Sequence, residues 1–112
     1  GWALAAVARL PAGLGIDAEE AGAELALSDI ATAAELAEEP DPIRLFSAKE
    51  AAYKAQFPRS GALLAFTDLE ITHAGSDFAA RFVRAVPPFA AGTVLRGRQI
   101  QAAGLILSAV IF

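Results

Sequence analysis

The chain has 112 residues, 55% of them apolar and 20% charged, with a net charge of -4. That length and balance suit one core and exclude a disordered tail. With no cysteine, the chain excludes disulfides, a thiolate zinc site and a cysteine nucleophile.

The charge is uneven. Residues 1–56 carry four basic and ten acidic groups, whereas residues 57–112 carry five and three. Seven scattered arginines form no basic patch of the nucleic-acid type, so no nucleic-acid partner is expected. The carboxylate surplus suits either a cation site or a solvated surface. The longest apolar run, 102–112, is broken by Ser108 and falls far short of the ~20 residues of a membrane helix. Absence of cysteine fits a reducing compartment, and a cytoplasmic location is expected. Methionine is absent and the chain opens Gly1-Trp2, so it is expected to be a piece of a longer protein.

Trp2 to Arg9 is apolar and small, and Pro11-Ala12-Gly13 supplies turn chemistry. With Leu14 to Glu19 it predicts an antiparallel hairpin, Trp2 in its core. Ser28-Asp29 marks a helix start before the Ala/Glu-rich stretch 30–39. Asp41 as N-cap and Pro42 at the first helical position open a second helix, predicted to end at Pro58. Arg59 to Leu64 follows as a loop and Ala65 to Thr72 as a strand. His73-Ala74-Gly75-Ser76 is predicted as a turn, with His73 a surface residue. Asp77 to Arg84 is a strand with Phe78, Ala80 and Phe82 on one face. Arg98 to Phe112 is a last, buried strand region. Arg81, Arg84, Arg96 and Arg98 are expected on an exposed sheet face. The pattern is α+β, an antiparallel sheet packed with helices.

On the helix 42–57, Ile43, Phe46, Tyr53 and Phe57 share one stripe at 100° per residue. Glu50 falls inside it and Lys54 at its edge, one turn on. Ala48, Ala51 and Ala55 make an opposite face that can also pack closely. A carboxylate on an aromatic stripe is costly unless paired. An i,i+4 pair with Lys54 is one reading, and a site is the other. On the segment Gly15-Ile16-Asp17-Ala18-Glu19, strand alternation sends Ile16 and Ala18 to one side, expected to be the core. It sends Asp17 and Glu19 together to the other. Two such carboxylates suit a hard cation, Mg²⁺ first and Mn²⁺ next, or an exposed strand face.

Gly15-Ile16-Asp17-Ala18-Glu19, then 26 residues, then Phe46-Ser47-Ala48-Lys49-Glu50-Ala51-Ala52-Tyr53-Lys54-Ala55 resembles the two-part signature of 4′-phosphopantetheinyl transferases. The likeness is nearest to the siderophore-type (enterobactin synthetase component D) and surfactin-type enzymes. It implies transfer of the 4′-phosphopantetheine arm of coenzyme A to a serine of an apo acyl- or peptidyl-carrier protein, leaving adenosine 3′,5′-bisphosphate. By motif position, Asp17, Glu19 and Glu50 would hold Mg²⁺ against the coenzyme A pyrophosphate. Glu50 or a metal-bound water would help deprotonate the serine. Lys54 would neutralise phosphate charge, and Lys49 would assist at the edge of the site. Residues 20–38 would help receive the carrier.

The resemblance further implies a pseudodimer of two similar halves, of which this chain matches the second. The first half, with its basic residues for the nucleotide, is expected outside the chain, and the piece is expected to be inactive alone or to self-associate. Two other readings stand beside it. One is a short trimeric holo-acyl-carrier-protein synthase, against which the strand before Gly15 and the lack of a histidine after His73 argue. The other is a non-catalytic α+β interaction domain.

Overall fold

The computed structural model describes residues 13–25 and 30–112. The expected strand over Trp2–Arg9 and the helix start at Ser28-Asp29 lie outside the described residues. The elements are β1 (Leu14–Glu20), α1 (Ala33–Glu38), α2 (Pro42–Ser60), β2 (Leu69–Ala74), β3 (Asp77–Phe82), β4 (Val94–Ala102) and β5 (Leu105–Ile111). The five strands form one sheet in the order β1-β5-β4-β3-β2, with every pair antiparallel. The α+β class holds. The last predicted strand region proves to be two strands, because Ala103 and Gly104 both take positive φ and turn the chain back on itself. Two such residues are what a tight type I′ hairpin requires.

α1 begins at Thr32. Its hydroxyl accepts the Glu35 N–H at 3.2 Å while Glu35 Oε1 accepts the Thr32 N–H at 3.0 Å, a reciprocal capping box. α2 begins as its sequence predicts, with the Asp41 side chain accepting the Ile43 N–H at 3.0 Å and Pro42 in the first turn. It does not stop at Pro58. A proline so near the end removes only one intrahelical bond, and the helix runs on to Gly61. There a φ of 64° closes it, with the Gly61 N–H donating to Phe57 O. The start of the predicted strand 65–72 is instead a 3₁₀ turn over Phe66–Asp68. The Asp68 carboxylate accepts the Ala65 N–H at 2.8 Å and is itself gripped by Arg84, so the backbone coils before β2 begins.

α2 lies across β1 and β5 through its small residues. Ala48, Ala51, Ala52 and Ala55 are completely buried, whereas Phe46 and Tyr53 are half-buried and Phe57 is 41% exposed. The alanine face, not the aromatic stripe, meets the sheet. The reason is steric: a Cβ on Gly15 would collide with the Ala51 carbonyl oxygen, and one on Gly13 with the Ala55 carbonyl oxygen. Backbone-to-backbone packing of this kind needs alanine opposite glycine. Beyond the alanines, Leu45, Leu69, Ile71, Phe78, Phe82, Val86, Leu95 and Val110 fill the core. Phe89 stacks on Phe82 at 4.8 Å.

The same packing reverses the expected facing of β1. Gly13, Gly15 and Asp17 share one parity, and that side faces α2. Asp17 is therefore buried, while Ile16 is half-buried and Ala18 exposed on the far side of the sheet. No helix among the described residues is long and apolar enough to cross a membrane.

Candidate active site

β1 and α2 bring the two sequence motifs together. Asp17 is only 5% exposed, and its Oδ1 accepts a hydrogen bond from Lys54 Nζ at 2.8 Å. Lys54 Nζ also donates to the Ile16 carbonyl at 3.2 Å, and its side chain is 47% exposed. Lys54 thus reaches across to the strand rather than closing a pair with Glu50 on its own helix. Asp17 Oδ2 is buried and has no partner.

Glu19 and Glu50 complete the group. The Glu19 carboxyl is pushed up to about 7, first by burial, then by the Asp17 carboxylate beside it and by the charge of Glu50, with Lys54 opposing. Glu50 is raised in the same direction by burial and by Asp17, again against Lys54. The three carboxylates expected from sequence to act together therefore feel one another. Among the described residues, no three His, Cys, Asp or Glu side chains are gathered around a common point. Among the described residues, the cation on Asp17 is Lys54. The donor types, all oxygen and with a buried, unpartnered Asp17 oxygen, suit a hard divalent ion in chemistry, while the three carboxylates do not converge on one point.

Lys49 does not stand at the edge of this group. It is 1% exposed, and Nζ donates to Ile30 O at 2.7 Å, Phe66 O at 2.8 Å and Glu35 Oε1 at 2.9 Å. An ammonium has three protons to give. All three are spent inside the protein, on Ile30, Phe66 and Glu35, rather than on Asp17, Glu19 or Glu50. Beside Glu50 a small cavity opens, lined by Lys49, Tyr53, Leu64, Ala65, Phe66 and Leu69, so Lys49 borders it although its ammonium is committed to protein acceptors. Phe66 is held there by its ring, 5.5 Å from that of Phe46.

A buried polar row that the sequence reading missed runs away from Asp17. Ser108 of β5 is paired with Asp17 on one side and with Gln99 of β4 on the other. The Ser108 hydroxyl lies 2.7 Å from that of Ser47 on α2 and accepts from Gln99 Nε2 at 2.8 Å. Gln99 Oε1 accepts from Arg44 Nε at 2.9 Å and lies 3.1 Å from His73 Nε2. The only available signal was Ser108 interrupting an apolar run. His73 is not a surface turn residue: it lies in β2, half-buried, its pKa lowered first by burial and then by Arg44. The turn is the two residues Gly75-Ser76, with Gly75 at φ 62°. Of the expected surface arginines, Arg81 pairs with Glu70, Arg84 with Asp68 and Arg98 with Asp77.

A long helix on a five-stranded antiparallel sheet, with an acidic pair on β1 and Glu50 and Lys54 on the helix above it, defines an α+β domain with a cluster of charged side chains where β1 meets α2. The family model of the 4′-phosphopantetheinyl transferase superfamily matches residues 13–102, and the chain belongs to that superfamily. No curated protein matches the chain. Membership supports a transferase of the phosphopantetheinyl transferase kind, with coenzyme A as the substrate class and carrier proteins as the partner class.

Proposed function

We propose that this chain carries the acidic and lysine side of a Mg²⁺-dependent site that moves the 4′-phosphopantetheine arm of coenzyme A onto a serine of an acyl- or peptidyl-carrier protein. The observation that carries the reading is Asp17: a buried carboxylate with one oxygen on Lys54 and the other without a partner, facing two carboxylates of raised pKa. Such repulsion is stable only where a cation or a proton is expected.

Asp17, Glu19 and Glu50 would hold the metal, with Mn²⁺ as the second choice. When bound, it would supply positive charge to the pyrophosphate oxygens. Lys54, long and half-exposed, leaves Asp17 for a phosphate oxygen and neutralises charge there. Glu50, raised above its ordinary pKa, accepts the proton of the acceptor serine hydroxyl. The serine oxygen forms a bond to the phosphorus that bears the pantetheine, and the phosphoanhydride bond breaks. Adenosine 3′,5′-bisphosphate leaves with the electron pair. Positioning and charge stabilisation carry such a transfer.

Within the superfamily, the motif spacing favours the siderophore-type and surfactin-type enzymes. In that arrangement this chain is the second of two lobes, working in the cytoplasm, and the first lobe supplies the nucleotide contacts. Incubating the intact enzyme with coenzyme A, Mg²⁺ and an apo carrier protein, then weighing the carrier, tests the reading. The expected result is one added phosphopantetheine on serine, lost with a chelator. An unmodified carrier from every class tried overturns it.

A further inference from the structure

We propose that Lys49 and Glu35 are positioning residues for the transfer reaction. They hold the chain at Ile30 and at Phe66 against the turn of α2 that bears Glu50, and Lys49 makes no contact with coenzyme A. The inference rests on the transferase reading above.

Lys49 immediately precedes Glu50, yet its side chain runs the other way, into the protein. Its three donors end on Ile30 O, Phe66 O and Glu35 Oε1, all between 2.7 and 2.9 Å. Glu35 is as fully engaged. Oε1 also accepts the Thr32 N–H at 3.0 Å, and Oε2 accepts the Ile71 N–H of β2 at 2.9 Å. Among the described residues β2 is an edge strand, and Glu35 caps its Ile71 donor. One ion pair therefore ties α1, β2, the turn at Phe66 and α2 together.

Burial of such a pair contributes little net stability, since well-packed apolar residues in its place are often as stable. What it does provide is fixed geometry. Phe66, Leu64 and Leu69 form one wall of the cavity whose other wall is Lys49, Glu50 and Tyr53 of α2. The Lys49 bond to Phe66 O sets the separation of those walls. A phosphate in that cavity could take Lys49 only by displacing one of its three short bonds. Displacing a reacting group by about 1 Å can cost on the order of a hundredfold in rate, so slackening this tie falls on turnover.

The test uses the intact enzyme with Glu35→Gln and Lys49→Met, each alone and combined. Coenzyme A affinity is read by calorimetry, and kcat and KM by carrier modification. Positioning predicts that Glu35→Gln lowers kcat by about tenfold while coenzyme A affinity stays within about twofold. The same split is expected in the double variant, where neither partner is left charged. If Lys49→Met fails to fold, Glu35→Gln alone decides the matter, because Glu35 keeps its shape and lies away from the carboxylate group. A tenfold loss of coenzyme A affinity in Lys49→Met or the double variant makes Lys49 a phosphate ligand and overturns the proposal. So does unchanged kcat in Glu35→Gln, or a gain in coenzyme A affinity there. Failure of the transferase reading shows separately, as absence of transfer by the unaltered enzyme.

Discussion

Lys54 on α2 and Asp17 on β1, 37 residues apart in sequence, meet at 2.8 Å, and this bond links the side chains of the two motifs. It joins a buried carboxylate to a half-exposed amine. The amine can leave for another anion, whereas the carboxylate has nowhere to go.

Asp17→Ala or Glu50→Ala in the intact enzyme is expected to lower transfer by at least about a hundredfold without unfolding the protein. Each removes one of three carboxylates proposed to share a cation, and charge stabilisation dominates phosphoryl transfer. Phosphopantetheine addition measured by mass, beside a thermal melt, checks this. Near-normal transfer by either variant would remove the metal assignment.

Lys54→Ala is expected to raise the KM for coenzyme A more than it lowers kcat, and Lys54→Arg to do so less. Arginine keeps the charge but presents a larger planar group, so full function does not return. If both kcat and KM are unchanged in Lys54→Ala, the lysine serves only to neutralise Asp17.

Glu19 ties stability to pH. Its carboxyl ordinarily titrates at 4.5 and in the fold at about 7, so the folded state holds the proton more tightly. That contribution is complete below 4.5 and is lost as pH rises through 7. In chelator, Glu19→Gln should therefore melt higher than the unaltered protein at about pH 8, and the gap should close on acidification. Melting curves across that range decide it. Equal pH dependence in both proteins would mean that Glu19 feels neither burial nor Asp17.

Gly15→Ala is expected to destabilise the chain by about 2 kcal/mol or more, because the new methyl meets the Ala51 carbonyl rather than a side chain that can rotate away. Denaturant unfolding measures the change. A variant as stable as the original would show that α2 can lift from β1 at little cost.

The far face of the sheet predicts association. Leu105, Leu107 and Ala109 of β5 are half-buried there and Ile111 is 59% exposed, while Ile106 and Val110 fill the other face. A strand apolar on both sides is suited to burial on both sides. The 112-residue chain by itself should sediment as a dimer or larger and transfer no phosphopantetheine, and Ile111→Lys should shift it towards monomer. A monomeric chain with full Mg²⁺-dependent transfer would overturn the two-lobed reading.

Local chemistry alone was enough for several features. Asp41-Pro42 starts a helix wherever it stands before a helical run, because the cap and the fixed φ act within three residues. Alternation over Leu14–Glu19 and Asp77–Phe82 likewise needs no partner to be recognised. The two motifs, with Asp17, Glu19, Glu50 and Lys54, were legible because residue type and spacing carry them. Which face of β1 and α2 turns inward was not. Aromatic residues outweigh alanines in any count of hydrophobicity, yet helix and strand backbones approach most closely where glycine faces alanine, and that match exists only between distant segments. The same holds for Lys49, adjacent to Glu50 and of the same type as Lys54. Its burial depends on three acceptors at Ile30, Glu35 and Phe66 that converge only when α1, β2 and α2 are packed. The sequence by itself determined which residue types lie in the two motifs; the tertiary structure decided which of two neighbouring lysines reaches Asp17, because only packing determines where each ammonium finds its acceptors.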